Sequence, residues 1–448
     1  MKIAIVGAGP AGLFAAHKLV RSGKDMEIVL FEKGRDIAAR KCLVAQGKEC
    51  VNCKPCNIAS GIGGAGLFSD GKLMFSTIIG TNLPELIGIP ETQRLVSDVE
   101  ALFAHHGVKA DADKPADSRL LQTQANQHGI EYIAAHQSHV GSDRLPDVIA
   151  ALIEDFHGKV RIVHEDVTEL GQGFVGTPSG KHACDRIIVA PGRSGAEWIE
   201  AVVERQGIDY EYNPVDIGVR VEVPASILEY ACSVNWDFKA RVRLKNEDIA
   251  RTFCTCPYGY VAREDYDTYS LVNGHSRKHT RSPNTNFAFL IKSRLTSPLK
   301  NANTYAAKLA EQVTYLGGGK PIIQRLGDLR RNRRSTFDRL SHSYVSPTLQ
   351  DVTPGDIGMA MGHRFVTGIL EGLDRLDKLI PGLAQDHTLL YAPEIKFHGI
   401  RVKTTASLES NVPGIYFAGD ASGYSRGIVG AAATGLLAAE GILKSRSI

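Results

Sequence analysis

The opening "KIAIVGAGPAGLFAAHKLV" (residues 2–20) constrains this chain more than any other stretch. An apolar run that reads as a strand enters Gly7-x-Gly9-x-x-Gly12, and the residues after it carry the spacing of an amphipathic helix. Gly7 permits a tight turn, Gly9 lets a pyrophosphate approach the backbone, and Gly12 lets helix and strand pack closely. Pro10 and Ala11 complete the turn. The helix start offers free amides and a positive dipole end to phosphates. A second strand, "EIVLFEKG", ends at Glu32, where a carboxylate accepts from an adenosine ribose, with Lys33 beside it. The glycine pattern alone is weak, because "GIGGAG" (61–66) and "GQGFVG" (171–176) match it literally. Neither follows a clear strand and opens a helix, and the second runs into "TPSGK", which reads as a hairpin turn.

The C-terminal "NVPGIYFAGDASGYSRGIVGAAATGLLAAEGIL" is again strand, glycine turn and helix. It resembles the second flavin motif of the large FAD-dependent oxidoreductases. In that motif an aspartate, here Asp420 after Gly419, binds the ribityl chain, and a helix starting near Gly427 meets the pyrimidine ring. Amides at Ile428 and Val429 suit the negative charge that reduced flavin carries there. "CDRIIVAPGRSGAEWI", with Gly192 after its strand, is similar to the middle motif of the same flavoproteins.

The segments "GGAGLFSDGKL" (63–73), "DIGVRVEVP" (216–224), "RTFCTCPYGYV" (251–261) and "LVNGHS" (271–276) extend the likeness over most of the chain. Together they resemble a family of FAD-dependent dehydrogenases related to the geranylgeranyl-reductase-like flavoproteins. The resemblance implies extended FAD, with Arg40 near the pyrophosphate and Gly64, Ser69, Asp70 and Lys72 close to the flavin; Val167 joins the cofactor-binding set. "EIKFHGIR" (394–401) is similar to a family strand carrying an acid, a base and an arginine, here Glu394, Lys396 and Arg401. The chain departs from the family at Asp420, where many members have glutamate, and in its cysteine-rich approach to the GGAG run. Its two tryptophans, Trp198 and Trp236, do not form the motifs of flavin halogenases or geranylgeranyl reductases.

The expected fold is α/β. A Rossmann-like FAD-binding domain with a parallel sheet is discontinuous in sequence and carries an inserted α+β substrate or cap domain. The FAD-binding parts are 1–80 (with a cysteine-rich loop at 42–56), 140–210 and 386–448. A helical insertion is expected at 81–139 and the cap at 211–385. At 448 residues the chain exceeds one simple core, and its net charge of +3 gives no argument for nucleic acid. "GIVGAAATGLLAAEGIL" (427–443) is short for a membrane span and contains Glu440, so it reads as a buried helix. The N-terminus reads as a strand rather than a signal peptide, so a cytoplasmic location with reduced thiols is expected.

Four of the eight cysteines lie between Cys42 and Cys56. Cys50, Cys53 and Cys56 have the spacing that presents three thiolates to a [4Fe–4S] cube, with Cys256 before Pro257 as a fourth ligand and Cys42 or Cys254 as substitutes. Zinc, reactive thiols beside lysines and a loop of small buried residues are the alternatives. Lys396, His398 and Tyr258 are the candidate catalytic groups, each able to move a proton while hydride passes between substrate and flavin N5. The expected partners are a small-molecule substrate and either NAD(P)H or a redox protein, with no nucleic acid and no membrane span. The rival functions are an electron-transfer flavoprotein, a non-enzymatic FAD-binding scaffold and, more weakly, a flavin monooxygenase. The basic run "RLGDLRRNRRSTFDRL" (325–340) reads either as a solvated face or as steering for an anionic partner.

Overall fold

The computed structural model describes residues 1–42, 51, 53–68, 71–110, 114–134, 136–141, 143–266, 268–276 and 280–445. They form two compact units, one of residues 1–112, 135–212 and 399–448, the other of 113–134 and 213–398.

The first unit is built on a five-stranded sheet. Its order is Ile415–Phe417, Arg186–Val189, Lys2–Val6, Glu27–Phe31, Val160–Val163, and every pairing is parallel. Strands covered on both faces read as nearly continuous apolar runs. The alternation of side chains divides them between two cores. Ile3, Ile5, Ile28, Leu30 and Ile188 pack with helices Pro10–Arg21 and Ile428–Lys444. Ala4, Val6, Phe31, Ile187, Val189, Ile415 and Phe417 pack with helix Ala196–Gln206 and a small meander on the other face. The sequence "GQGFVG" lies in that meander as the turn between Glu169–Gly171 and Phe174–Thr177, and the hairpin turn expected at "TPSGK" joins Phe174–Thr177 to Gly180–Ala183.

The helix Ile428–Lys444 is buried from Ile428 to Ile442. Its one acid, Glu440, receives Lys18 at 2.9 Å and Arg94 at 2.8 Å and so ties three helices together. Among the described residues no helix is long and apolar enough to cross a membrane.

The second unit holds an eight-stranded sheet in the order Thr353–Pro354, Ile322–Arg325, Leu389–Lys396, Val215–Pro224, Asn284–Ser293, Ile249–Cys256, Ala240–Arg243, Ile130–Tyr132. All pairings are antiparallel except Ile322–Arg325 with Thr353–Pro354. Val215, Ile217, Val219, Val221 and Val223 form one face with Phe287, Phe289 and Ile291, covered by helices including Ala302–Leu316 and His363–Leu379.

Residues 81–139 are divided between the units: helix Pro84–His105 lies in the first and helix Pro115–Gln127 in the second. Strand Leu389–Lys396, placed by sequence at the start of the last FAD-binding part, is instead an interior strand of the second unit. It bonds to Val215–Pro224 on one side and Ile322–Arg325 on the other, and an apolar strand gains more from two neighbours than from one.

The basic run at 325–340 is largely neutralised within the second unit. The fully buried Asp328 accepts from Arg325 at 2.9 Å, Arg333 at 2.8 Å and Ser335 at 2.8 Å, while Arg331 pairs with Asp386 at 2.7 Å and Arg330 with Asp374. Burial raises the Asp328 pKa, but its arginine and serine partners outweigh that and hold it down at about 2. A depressed carboxylate stabilises the fold above its unfolded pKa, and the gain disappears as pH falls from about 4 through about 2. Asp328→Asn is therefore expected to lose on the order of 2 kcal/mol at pH 7 and much less near pH 2, measured by urea unfolding at both values.

Candidate functional site: a glycine-turned sheet edge and a buried polar sheet face

In the first unit three chain reversals follow the carboxyl ends of adjacent parallel strands, the edge where open α/β sheets bind ligands. After Lys2–Val6, Gly7 takes φ +101°, and a Cβ there would lie 2.3 Å from the Ala190 carbonyl oxygen. A Cβ on Gly12 would lie 1.9 Å from the Gly7 oxygen, whereas one on Gly9 meets only the Gly64 Cα at 3.8 Å. Two of the glycines thus serve packing, and the middle one leaves room. Helix Pro10–Arg21 begins at Gly9 without a side-chain cap and with proline in its first turn, which leaves the helix-start amides to an anion.

After Arg186–Val189 the chain turns at Gly192, and after Ile415–Phe417 at Gly419, both in the left-handed region. Asp420 accepts from Ser425 Oγ at 2.9 Å and from the exposed Arg193 Nε at 2.8 Å, so the second and third reversals are linked. Helix Ile428–Lys444 starts at Gly427 without a side-chain cap, and nothing lies within 4 Å of a Cβ built on Gly427. The amides of Ile428 and Val429 belong to the first turn, at the positive end of a 17-residue helix.

The start of the GGAG run packs onto the first turn. Gly63 N donates to the Ala8 carbonyl at 2.8 Å, and Gly64 lies against Gly9 and Pro10. Glu32 is buried, and its carboxylate accepts from three backbone amides: Ala8 at 2.9 Å, Gly34 at 2.8 Å and Gly61 at 2.9 Å. It therefore staples the glycine turn to the 61–64 loop, and about one of the four acceptor positions of a carboxylate stays open for a ribose hydroxyl. Glu32→Gln turns one acceptor into a donor facing an amide. The expected cost is about 1–3 kcal/mol in urea unfolding, with weaker FAD retention on gel filtration.

Arg40 was expected near a pyrophosphate. Its guanidinium donates to the carbonyls of Asn57 at 2.8 Å, Ile58 at 2.7 Å and Ile62 at 2.7 Å and lies 4.6 Å over the Phe68 ring. Burial lowers its pKa to about 10. It builds the loop that Glu32 anchors. Lys33 Nζ donates to the Ser194 carbonyl at 3.3 Å, and Lys72 stands on a short strand paired with Gln137–His139. Val167 is a core residue packed with Val6 and Phe31. Ser69, Asp70 and Cys50 lie outside the described residues.

Among the described residues no group of three potential ligands could hold a metal ion. Cys53 is half-buried and Cys56 exposed, both in the first unit, while Cys256 is buried in the second. Cys256 Sγ is already engaged by Arg220 Nη2 at 3.4 Å.

The catalytic candidates all fall in the second unit, on or near the sheet face opposite the helices. Lys396 Nζ lies 3.0 Å from Glu394 and 3.3 Å from Asn273 Oδ1. His398 Nε2 lies 2.8 Å from Asp216 Oδ2, which also accepts from Arg251 at 2.7 Å. Burial alone would raise the Asp216 pKa; Arg251 and His398 outweigh it and keep the carboxylate ionised. Tyr258 is set apart, with φ +51°, its hydroxyl 3.2 Å from Glu229 and Arg281 over its ring. The Glu229 charge raises the Tyr258 pKa, so the phenol stays protonated.

What sequence reading missed is how far polarity extends across this buried face. Arg220, fully buried, pairs with Glu394 at 3.1 Å and donates to Asn286 Oδ1 at 2.8 Å and the Cys254 carbonyl at 2.7 Å. Glu222, also fully buried, accepts from Thr348 Oγ1 at 2.6 Å and from the Tyr391 hydroxyl. The signal was available: in "VDIGVRVEV" charged residues alternate with branched apolar ones, yet the strand is buried throughout. Such a pattern describes a sheet with a dry face and a polar face that is not solvent-facing.

Three families match parts of the chain. Residues 214–396 match "FAD-dependent protein, C-terminal domain-like", residues 1–196 match "Pyridine nucleotide-disulphide oxidoreductase", and residues 370–446 match "Glucose inhibited division protein A". A protein of Clostridium beijerinckii described as uncharacterized is 27% identical, with 98% of this chain and 80% of that protein covered. Among solved structures, glycine oxidase from Geobacillus kaustophilus is 14% identical, covering 99% of this chain and 95% of that one, with a TM-score of 0.38. L-proline dehydrogenase from P. horikoshii is 13% identical, covering 100% and 94%, with a TM-score of 0.38. The family matches and the sheet agree on an FAD-binding, Rossmann-like chain of oxidoreductase character.

Proposed function

We propose that this chain is an FAD-dependent oxidoreductase that moves a hydride between a small organic substrate and the flavin. The carrying observation is the edge of the parallel sheet, where Gly7–Gly12, Gly192 and Gly419–Asp420 reverse the chain beside two uncapped helix starts. Those residues fit a dinucleotide with a flavin end: a close-approach glycine, open amides for anionic groups, and a carboxylate for hydroxyls. In this reading Gly9, Pro10 and Ala11 contact phosphate, Glu32 contacts the ribose, and Asp420, Gly427, Ile428 and Val429 hold the flavin end. Bound FAD supplies a two-electron acceptor or donor at N5.

The second unit then supplies substrate handling. Lys396, 3.0 Å from Glu394, holds an anionic or carbonyl group of the substrate and donates a proton. His398, oriented by Asp216, takes or returns one, and Tyr258 is a third donor. Lys396→Met is expected to keep its flavin while kcat falls about 10²- to 10⁴-fold, the range for loss of a general acid.

The test of the function is anaerobic. The purified protein is scanned for flavin absorbance, then titrated with NADH, NADPH and a panel of small amines, hydroxy acids and enoates while bleaching is followed. Bleaching by one of these supports a hydride-transferring enzyme. Bleaching only by a reduced electron-carrier protein points to the electron-transfer rival, and a chain that neither retains nor rebinds FAD overturns the proposal.

A further inference from the structure

Two thiols of the second unit take no part in the chemistry above. Cys254 and Cys256 close the strand Ile249–Cys256, and their sulfurs lie 4.0 Å apart. In a regular strand, residues two apart are separated by roughly 7 Å along the chain. Here the ladder with Asn284–Ser293 jumps from Phe253↔Ala288 to Cys256↔Asn286, so three steps on one strand oppose two on the other. That bulge puts Cys254 at φ +48° and turns the two side chains toward each other. Cys256 is 4% exposed and Cys254 is half-buried, so Cys254 is the more accessible residue of the two. Beside them stands Arg220, whose guanidinium is 3.4 Å from Cys256 Sγ and is held by Glu394, Asn286 and the Cys254 carbonyl. A fixed cation next to a thiol favours the thiolate, the form that attacks disulfides.

We propose that Cys254 and Cys256 are a redox dithiol that exchanges with low-molecular-weight disulfides and closes to an intramolecular Cys254–Cys256 disulfide. The Cys254 thiolate attacks one sulfur of the external disulfide, forming a mixed disulfide and expelling one thiolate. The Cys256 thiolate, held by Arg220, then attacks Cys254 Sγ and expels the second. The external disulfide is reduced to two thiols, which take up the two protons released by the cysteines, and the dithiol is oxidised by two electrons. The proposal stands independently of the flavin reading, because the exchange needs no cofactor.

The test uses the full chain, reduced, freed of reductant and incubated anaerobically with glutathione disulfide. It is then alkylated under denaturing conditions and digested with trypsin. Both cysteines fall in one peptide, between Arg251 and Arg263. The expected result is that this peptide loses two hydrogen masses and both alkyl groups, while Cys184 and Cys232 remain fully alkylated. Dithiothreitol restores both alkyl groups. In Cys256→Ser the peptide keeps glutathione on Cys254, because no second thiol resolves it. A wild-type peptide that stays doubly alkylated in excess glutathione disulfide would overturn the proposal. So would one that carries glutathione on both cysteines without closing, or one joined to a different cysteine.

Discussion

Gly12→Val is expected to yield protein with almost no bound flavin and a fold weakened by about 1–3 kcal/mol or more. A Cβ at position 12 would stand 1.9 Å from the Gly7 carbonyl oxygen, 3.1 Å from its carbon and 3.2 Å from Ile5 Cγ2. Two of those atoms belong to backbone, which cannot rotate aside. Relief requires the helix Pro10–Arg21 to move away from strand Lys2–Val6, or the Gly7 turn to open. Either movement changes the distance between the helix-start amides and any phosphate. Flavin absorbance relative to protein absorbance after purification measures the first effect, and thermal melting the second. Gly399→Ala is the control, because nothing lies within 4 Å of its Cβ and its φ is ordinary. It should stay within about 0.5 kcal/mol of the parent. A Gly12→Val protein with full flavin content would remove the dinucleotide site from this turn.

Glu394→Ala is expected to cost about 3–5 kcal/mol, among the larger penalties a single substitution in this chain can carry. Arg220 and Glu394 are both fully buried, and the Arg220 Nη1 reaches both carboxylate oxygens, at 3.1 and 3.3 Å. Burial works against the Arg220 charge, but Glu394, with Cys256 and Cys254, offsets it and raises the arginine's pKa. Removing the acid leaves a fully buried guanidinium without its counter-charge on the polar sheet face, and also strips Lys396 of a partner at 3.0 Å. The double variant Arg220→Met, Glu394→Leu should recover most of the loss, since neither member of the fully buried pair then remains without the other. Urea midpoints of Arg220→Met alone, Glu394→Leu alone and the double variant form the cycle that measures the coupling. Equal losses for Glu394→Ala and the double variant would show that packing, not charge, holds this face.

The sheet edge of the first unit and the polar face of the second were legible to different degrees. The cofactor edge was read residue by residue at Gly7, Gly9, Gly12, Gly419 and Gly427, because a chain reversal between strand and helix needs local residues at fixed offsets. Glu32 was placed by spacing alone, yet its three backbone amides come from segments up to 29 residues away, a task no local pattern encodes. Arg40 shows the reverse: its proximity to the motif was legible, but its carbonyl partners at 57–62 depend on how the loop folds back.

By itself, the sequence determined the strands and helices of the flavin-type edge, the hairpin turn at 177–181 and the burial of the last helix. Each follows from periodicity and from glycines whose conformations few other residues adopt. Only the tertiary structure decided the second unit's chemistry. Leu389–Lys396 became an interior strand through pairing with partners about 170 and 70 residues earlier in the chain. That pairing set Glu394 against Arg220 and Lys396 against Asn273. The bulge before Cys256 likewise exists only against Asn284–Ser293, and it is what brings two thiols together. Ion pairs and thiol pairs act over a few ångströms, so their partners are fixed by sheet register, a property of strands that meet in space rather than of neighbours along the chain.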